Sequence, residues 1–400
     1  MSETEIPLPS SKSESNRALI IHALAGEKDV PLYNVSEARD TQTMQRLLRS
    51  NKHELDVLDA GTTMRFLTAY CAVQGLDKVI KGTRRMHERP IKLLVDALRE
   101  LGAKIDYMQN EGFPPLHVRG FERQQTHRIK IRGDVSSQYI SALLMIAPKL
   151  PEGLYLELTG PIGSRPYIEM TLSLMEHFGV KANWEGNVIH VPHQEYDLKP
   201  YTVESDWSGA SYWFSMVALA EKAQITLKGL RKNSLQGDIQ IVEIMQGLGV
   251  QATFVADGVV LMKTKKSDEI SADYTHCPDL AQTVAVACAA SGTKCTMTGL
   301  ESLRIKETDR IFALQQELAK IGAQLKEEET GVWKVIPAAV IVPRKEPVRF
   351  ATYEDHRMAM ALAPLATQMD IMMEDADVVS KSYPNFWKDL KKAGIDVQEK

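Results

Sequence analysis

The sequence predicts a mixed α/β protein of two domains, built from one helix-and-strand unit repeated six times. Three observations predict it. The chain has 400 residues, more than one hydrophobic core ordinarily serves. A polar cluster leading into a small-residue-rich apolar run occurs six times. A helix closed by glycine before a short alternating run occurs five times, and both markers share a period of about 73 residues.

The apolar runs are SKSESNRALIIHALA from Ser11, DAGTTMRFLTAYCAV from Asp59, GDVSSQYISALLMIA from Gly133, ESDWSGASYWFSMVALA from Glu204, CPDLAQTVAVACAASG from Cys277 and YEDHRMAMALAPLA from Tyr353. Measured at Ser13, Thr62, Ser136, Ser208, Leu280 and His356, the spacings are 49, 74, 72, 72 and 76. The glycines of LGAKID, FGVKAN, LGVQAT, IGAQLK and AGIDVQ (Gly102, Gly179, Gly249, Gly322 and Gly394) lie 77, 70, 73 and 72 apart. Each apolar run reads as a buried helix, and strand material such as GLYLELTG or AQITLKGL follows it. An amphipathic helix with glycine at its C-terminus comes next. The helix expected from Lys306 puts Ile311, Leu314, Leu318 and Ile321 on one face. The first unit, 49 residues long, has no glycine-closed helix and strand pair after Arg46 and is roughly 25 residues short. Three units per domain is the simplest division.

Composition narrows the function. Hydrophobic residues make up 44% and charged residues 25%, as in globular proteins. A net charge of −4 argues against a nucleic-acid or membrane-surface role for the whole chain, so any affinity for anions must be local. The start, MSETEIPLP, shows no apolar signal region, and no apolar run reaches the roughly 18–20 residues of a membrane span. Cys71, Cys277, Cys288 and Cys295 have no metal-ligand spacing and read as reduced core thiols of a cytoplasmic protein. The ten histidines form no paired zinc pattern, and there is no GxGxxG or P-loop, so neither metal nor nucleotide cofactor is expected.

A buried helix with a polar N-terminus presents unpaired N–H groups and about half a positive charge. Six such ends gathered together would suit a multiply charged anion. Cations lie near the unit starts: Lys12, Arg17, Arg65, Arg85, Arg310, Arg357 and Lys381, with GTRRMHERP over Gly82–Pro90. Arginine's planar fork suits carboxylate and phosphate, and lysine acts as a mobile point charge. Asp279, Glu307, Asp309, Glu354 and Asp355 intrude on this field. A helix cap would explain Asp279, and a surface ion pair would explain Glu307 beside Arg310. A carboxylate among anion-binding cations can equally move protons. The residues alone therefore suggest an enzyme acting on small phosphorylated, carboxylated molecules.

These clusters resemble the motifs of the 5-enolpyruvylshikimate-3-phosphate (EPSP) synthase family. The resemblance runs from about Ser11 to Leu390 and rests on SKSESNRAL, DAGTTMR, RMHERP, DVSSQY, SRPYIEM, IKETDRI and YEDHRMAM in order. It implies an inside-out α/β barrel of six βαβαββ repeats, the first shortened here. One domain would span 10–203, the other 1–9 and 204–400, with the active site in the cleft between them. It implies transfer of the enolpyruvyl group of phosphoenolpyruvate to the 5-hydroxyl of shikimate 3-phosphate, with phosphate released, in aromatic amino-acid biosynthesis. A cytoplasmic monomer that needs no cofactor, nucleic acid or membrane is expected.

The resemblance also implies roles. Lys12, Arg85 and Lys381 match residues that hold the phosphate of phosphoenolpyruvate, and Arg310 and Arg357 match those that hold its carboxylate. Ser13 and Arg17 match contacts to the hydroxyls and carboxylate of shikimate 3-phosphate, and Ser136, Ser137 and Ser164 match its phosphate site. Gln138 matches a contact to the substrates, Tyr167 packs on the ring, and Lys306 joins from the other domain. Asp279 matches the residue at the attacking hydroxyl, and Glu307 a proton-transfer group at the enolpyruvyl methylene. Lys12 would assist the departing phosphate. Gly61 matches the small residue beside the phosphoenolpyruvate pocket, where it leaves room for glyphosate. Four positions depart from the family pattern: Ser10 stands for the usual Gly, Asp59 and Ser302 for Asn, and Phe66 for Pro. Asp59 would bring a carboxyl group near the phosphoenolpyruvate pocket. The related UDP-N-acetylglucosamine enolpyruvyl transferases usually carry a reactive cysteine in a mobile loop, and Gly82–Pro90 has none. A catalytically dead metabolite binder is countered by the retention of Lys12, Asp279, Glu307, Arg310 and Arg357.

Overall fold

The computed structural model describes residues 3–26, 29–338 and 346–399. Met1 and Ser2, the start of the 1–9 segment, lie outside the described residues. The chain forms two compact units, Ser11–Val203 and Met1–Ser10 with Glu204–Lys400.

In the Ser11–Val203 unit, six helices alternate in kind: α1 (Lys12–Ala25), α2 (Arg39–Leu48), α3 (Gly61–Val73), α4 (Lys92–Leu101), α5 (Ser137–Ile146) and α6 (Arg165–His177). The odd-numbered helices are the small-residue-rich runs of the sequence. They pack pairwise on one another, since their alanines, serines and threonines let backbones approach and leave no polar face for solvent. The even-numbered helices bury one face only, and α4 lies on the strand Ala103–Tyr107. The other unit repeats the scheme with α7 (Trp207–Leu219), α8 (Ile241–Gln246), α9 (Ala281–Ser291), α10 (Arg310–Ala319), α11 (His356–Leu362) and α12 (Phe386–Lys392). Its buried helices α7, α9 and α11 also pack pairwise.

Each unit holds two four-stranded sheets of one topology. In the Ser11–Val203 unit the strand orders are Glu54–Asp56, Lys78–Lys81, Leu116–Phe121, Ala103–Tyr107 and Arg128–Arg132, Leu154–Thr159, Val188–Val191, Asn183–Glu185. In the other they are Thr4–Pro7, Gln224–Lys228, Gly258–Lys263, Val250–Val255 and Glu269–Asp273, Lys294–Thr298, Val332–Ile336, Gln324–Glu329. Every time, the first two strands are parallel and the rest antiparallel. The parallel pair needs a crossover, which α3, α5 and α9 supply in three sheets and the whole Ser11–Val203 unit with α7 supplies between Thr4–Pro7 and Gln224–Lys228, and the last two strands are joined by a short connection.

Two further sheets have only two strands, parallel in each case: Leu32–Tyr33 with Tyr201–Thr202, and Val348–Phe350 with Ile371–Met373. The first belongs to the unit that the spacing marks as short. The second was not anticipated: the alternating run after Gly394 is not a strand, and among the described residues no sheet takes it up. All five marker glycines take positive φ, and a Cβ at Gly102 would lie 2.3 Å from the Arg123 carbonyl oxygen. The helix expected from Lys306 begins at Arg310 instead. The Asp309 carboxylate accepts from the Phe312 N–H at 3.0 Å and fixes the start there, after a 3-10 turn over Glu301–Ile305.

The apolar face expected of α10 is buried as read: Ile311, Leu314, Leu318 and Ile321 are 6% exposed or less. Leu314→Ala is expected to cost about 2–5 kcal/mol of stability. Gln316→Ala, on the exposed face, should stay within about 0.5 kcal/mol. Urea unfolding of both variants checks the assignment.

Candidate active site

The polar ends of the buried helices carry most of the residues singled out by the sequence. In the Ser11–Val203 unit, Ser11 caps α1 and Ser136 caps α5, their hydroxyls accepting from the N–H groups of Glu14 and Gln138. Lys12 is the first residue of α1, Gly61 of α3 and Ser137 of α5. The Lys12 ammonium lies 3.0 Å from Asp40, a buried carboxylate at the start of α2. Gln138 donates to the Thr62 hydroxyl at 3.1 Å, which ties the start of α5 to that of α3.

Arg17, one turn into α1, is buried, and its hydrogen bonds go to neutral oxygens. These are the Thr171 and Ser141 hydroxyls at 2.7 and 3.0 Å and the Ser13 carbonyl at 2.8 Å. Its guanidinium carbon stands 5.5 Å from the Phe66 ring centroid and 5.9 Å from that of Tyr167, within cation–π range. Burial pushes the guanidinium down to about 10, so it stays charged at neutral pH. Ser164, ahead of α6, has φ 51 and ψ 36, a left-handed conformation that costs a serine about 1–3 kcal/mol. A Cβ at Gly61 would lie 2.7 Å from an Arg89 nitrogen and 2.9 Å from one of Arg65. Arg85 turns outward to Glu88 at 3.1 Å. Asp59, the departure from the family pattern, is matched by Arg39 at 3.0 Å.

In the other unit, Arg310 stands among three carboxylates. Nε donates to Asp355 at 2.7 Å, Nη1 to Asp279 at 3.0 Å and Nη2 to Glu307 at 3.0 Å. Arg357 reaches the second oxygen of Asp279 at 2.7 Å, while Asp355 caps α11 by accepting from the Arg357 N–H at 2.9 Å. Two arginines thus clamp Asp279. Burial alone would raise its carboxyl, and Arg357, Lys306 and Arg310 reverse that and hold it well below the carboxylate range. Burial pulls the Lys306 amine down, against the raising effect of Asp279. Lys381 is buried on the 3-10 turn Ala376–Lys381, which packs against α11.

Sequence reading missed Asp40, Arg89 and Asp238. A signal existed. Asp40, Arg89, Ser164, Asp238 and Arg310 follow the first five unit markers by 27, 27, 28, 30 and 30 residues, so they recur at or just ahead of the start of α2, α4, α6, α8 and α10. Asp238 is fully buried, accepts a hydrogen bond from the Ser208 hydroxyl, and is pushed up to about 7, first by burial and then by the nearby Asp279 charge. Its sign is opposite to that of Asp279.

A raised carboxyl keeps its proton in the folded chain at pH values where the unfolded chain has lost it. Folded protein then binds more protons than unfolded between the ordinary aspartate pKa, near 3.8, and about 7, so stability falls as pH rises through that window. Urea midpoints of wild type should therefore fall relative to those of Asp238→Asn from pH 4.5 to 7, against the opposite contribution of His22, whose imidazole burial pushes down to about 4. The asparagine cannot ionise there, so the difference between the two proteins isolates the Asp238 carboxyl.

The sequence model of the family "EPSP synthase (3-phosphoshikimate 1-carboxyvinyltransferase)" matches residues 2–58 and 49–390, its break falling in the shortened first unit. A 3-phosphoshikimate 1-carboxyvinyltransferase of Bacteroides fragilis is 49% identical over 398 residues, covering 98% of this chain and 96% of the relative. One of Herminiimonas arsenicoxydans is 36% identical over 429 residues, covering 98% and 95%. Among solved structures, an EPSP synthase from Acinetobacter baumannii aligns with a TM-score of 0.79 at 22% identity, covering 99% of this chain and 96% of that one, which shows the shared fold. With its motifs in order and both sets of charged residues assembled, the chain belongs to the EPSP synthase family.

Proposed function

We propose that the chain transfers the enolpyruvyl group of phosphoenolpyruvate to the 5-hydroxyl of shikimate 3-phosphate and releases inorganic phosphate. The observation that carries this reading is the Asp279–Glu307–Arg310–Arg357–Asp355 cluster, which combines two arginines suited to a carboxylate with carboxylates suited to proton transfer. The whole-length likeness to 3-phosphoshikimate 1-carboxyvinyltransferases supports it. Six repeats of an inside-out barrel would account for the six sheets found among the described residues, two of which have two strands there.

The hydroxyl oxygen adds to C2 of phosphoenolpyruvate while C3 takes a proton, giving a tetrahedral intermediate. The C2–O bond to phosphate then breaks and C3 returns its proton. Asp279, kept ionised by its arginines, accepts the hydroxyl proton. Glu307 delivers and recovers the proton at C3. Arg310 and Arg357 hold the carboxylate, so a substrate carboxylate arriving at Arg310 exchanges with Glu307 at Nη2 and frees it for chemistry. Lys12, Arg85 and Lys381 hold the transferring phosphate, with Lys12 easing its departure. Asp40 positions Lys12. Arg17 and Ser13 hold the carboxylate and hydroxyls of shikimate 3-phosphate, and Ser136, Ser137 and Ser164 hold its phosphate. Gln138, Tyr167 and Lys306 complete the contacts. Each charge-assisted bond contributes ~1.5–3 kcal/mol, aimed at charge that is present in the transition state.

Phosphate release that requires both substrates, with no added metal or nucleotide, is the expected result. Glu307→Gln should lower kcat at least about 100-fold with little change in substrate affinity. Release from phosphoenolpyruvate alone would overturn the reaction, and unchanged turnover in the variant would remove Glu307 from it.

Glyphosate should compete with phosphoenolpyruvate beside Gly61. Gly61→Ala drives a methyl group against Arg89 and Arg65, so it should raise the KM for phosphoenolpyruvate and the half-inhibitory glyphosate concentration together. Inhibition curves for the two proteins test this, and a wild-type curve flat to millimolar glyphosate would refute it.

A further inference from the structure

Apart from these charged sets, the Ser11–Val203 unit gathers two imidazoles and a carboxylate at one end of a sheet. His53 directly precedes the strand Glu54–Asp56, Asp77 directly precedes Lys78–Lys81, and His117 is the second residue of Leu116–Phe121. The three strands are neighbours: Glu54 pairs with Val79, and Val79 with His117. The His53 carbonyl accepts from the Val79 N–H at 2.9 Å, extending the ladder to that end. Both Nε2 atoms face one oxygen. His53 is 3.4 Å and His117 2.7 Å from Asp77 Oδ1, and the ring centroids lie 5.8 Å apart, edge to face. The ligand atoms of all three residues lie within 4.8 Å of one another.

A tetrahedral ion with bonds of about 2.0–2.1 Å to nitrogen and oxygen holds its ligand atoms about 3.3 Å apart. The two distances to Asp77 Oδ1, 3.4 and 2.7 Å, bracket that spacing, the two nitrogens lie within 4.8 Å of each other, and small rotations of the side chains would meet it. Two imidazoles and one carboxylate select zinc, nickel or copper(II) over magnesium or calcium, which prefer oxygen alone. The partly exposed setting leaves water to complete the coordination. All four cysteines are buried and do not compete for an added ion.

We infer that His53, Asp77 and His117 bind one divalent transition-metal ion of the zinc class. The ion joins positions 24 and 40 residues apart in the chain and clamps the three-residue edge strand Glu54–Asp56 to the next two strands of the sheet, Lys78–Lys81 and Leu116–Phe121. The clamp sits beside the shortened first unit, where among the described residues that edge strand has a partner on one side only. Its role is structural and separate from phosphate release.

The test is calorimetric titration of the chelator-treated, full-length chain with zinc chloride at pH 7.5, alongside His53→Ala and His117→Ala. Saturable binding of one ion per chain at micromolar Kd is expected, weakened at least tenfold in each variant. The thermal midpoint should rise with zinc in wild type and stay fixed in the variants. Unchanged metal-free midpoints and phosphate-release rates in the variants would show that the loss is of the ligand and not of the fold. Absence of one-to-one binding in wild type, or binding equally tight in both variants, would overturn the inference.

Discussion

Three helices buried against one another in each unit impose a condition at their N-termini. Their sides are apolar and closely packed, so the polar first turns collect at a common end. The unpaired N–H groups and the partial positive charge there need compensation. Ser11, Ser136, Asp206 and Asp355 supply it by capping, and the remaining polar groups are placed for other contacts. Each unit's charged set is in this sense a consequence of its packing: in one unit the core helices begin at Lys12, Gly61 and Ser137, and in the other Arg357 lies in the first turn of α11 and Asp279 just ahead of α9.

The two units solve the charge problem differently. Arg17 is buried among hydroxyls, a carbonyl and two aromatic faces, so its charge remains available to an anion. Arg310 is buried among carboxylates and is itself a scaffold that holds Asp279 ionised and Glu307 close. Breaking one member of such a buried set costs about 3–5 kcal/mol, so Asp355, which accepts from Arg310 at 2.7 Å, helps to fix the arginine in place. In the proposed reaction the first arrangement binds shikimate 3-phosphate, while the second both holds the carboxylate of phosphoenolpyruvate and supplies the carboxylates for proton transfer. Asp238, whose carboxyl is pushed up to about 7 by burial and by the Asp279 charge, extends the second arrangement beyond its ion pairs.

Local features were legible in the sequence, and features made by tertiary contact were not. The period of about 73 residues and the glycine-closed helices follow from patterns within a few turns of chain. Lys12, Arg17, Arg310 and Arg357 stood out because a cation beside an apolar run is a local anomaly. Asp40 and Asp238 are single acidic residues in polar segments, and only folding brings them to Lys12 and Ser208. The same holds for Arg39, which neutralises the foreign carboxylate at Asp59. His53, Asp77 and His117 are spaced for no known motif, because their nearness comes from strand order. The two-stranded last sheet was hidden because Val348–Phe350 and Ile371–Met373 are too short to alternate visibly.

Phe66 connects these themes. The family usually has proline there, in the interior of what is here α3, where proline removes a backbone donor and distorts the helix. Phenylalanine restores the donor and lets α3 run unbroken from Gly61 to Val73. It also fills a fully buried position with a ring that faces Arg17. One substitution therefore acts on both proposed binding sets: through the helix on Gly61 and its arginines, and through the ring on the solvation of Arg17. A cation that has given up water gains from an aromatic face about 0.5–2 kcal/mol, part of what burial takes away. Reverting Phe66 to proline would remove the ring and bend the helix together, so the two effects separate only when leucine, which keeps the helix and lacks the ring, is compared with proline at this position.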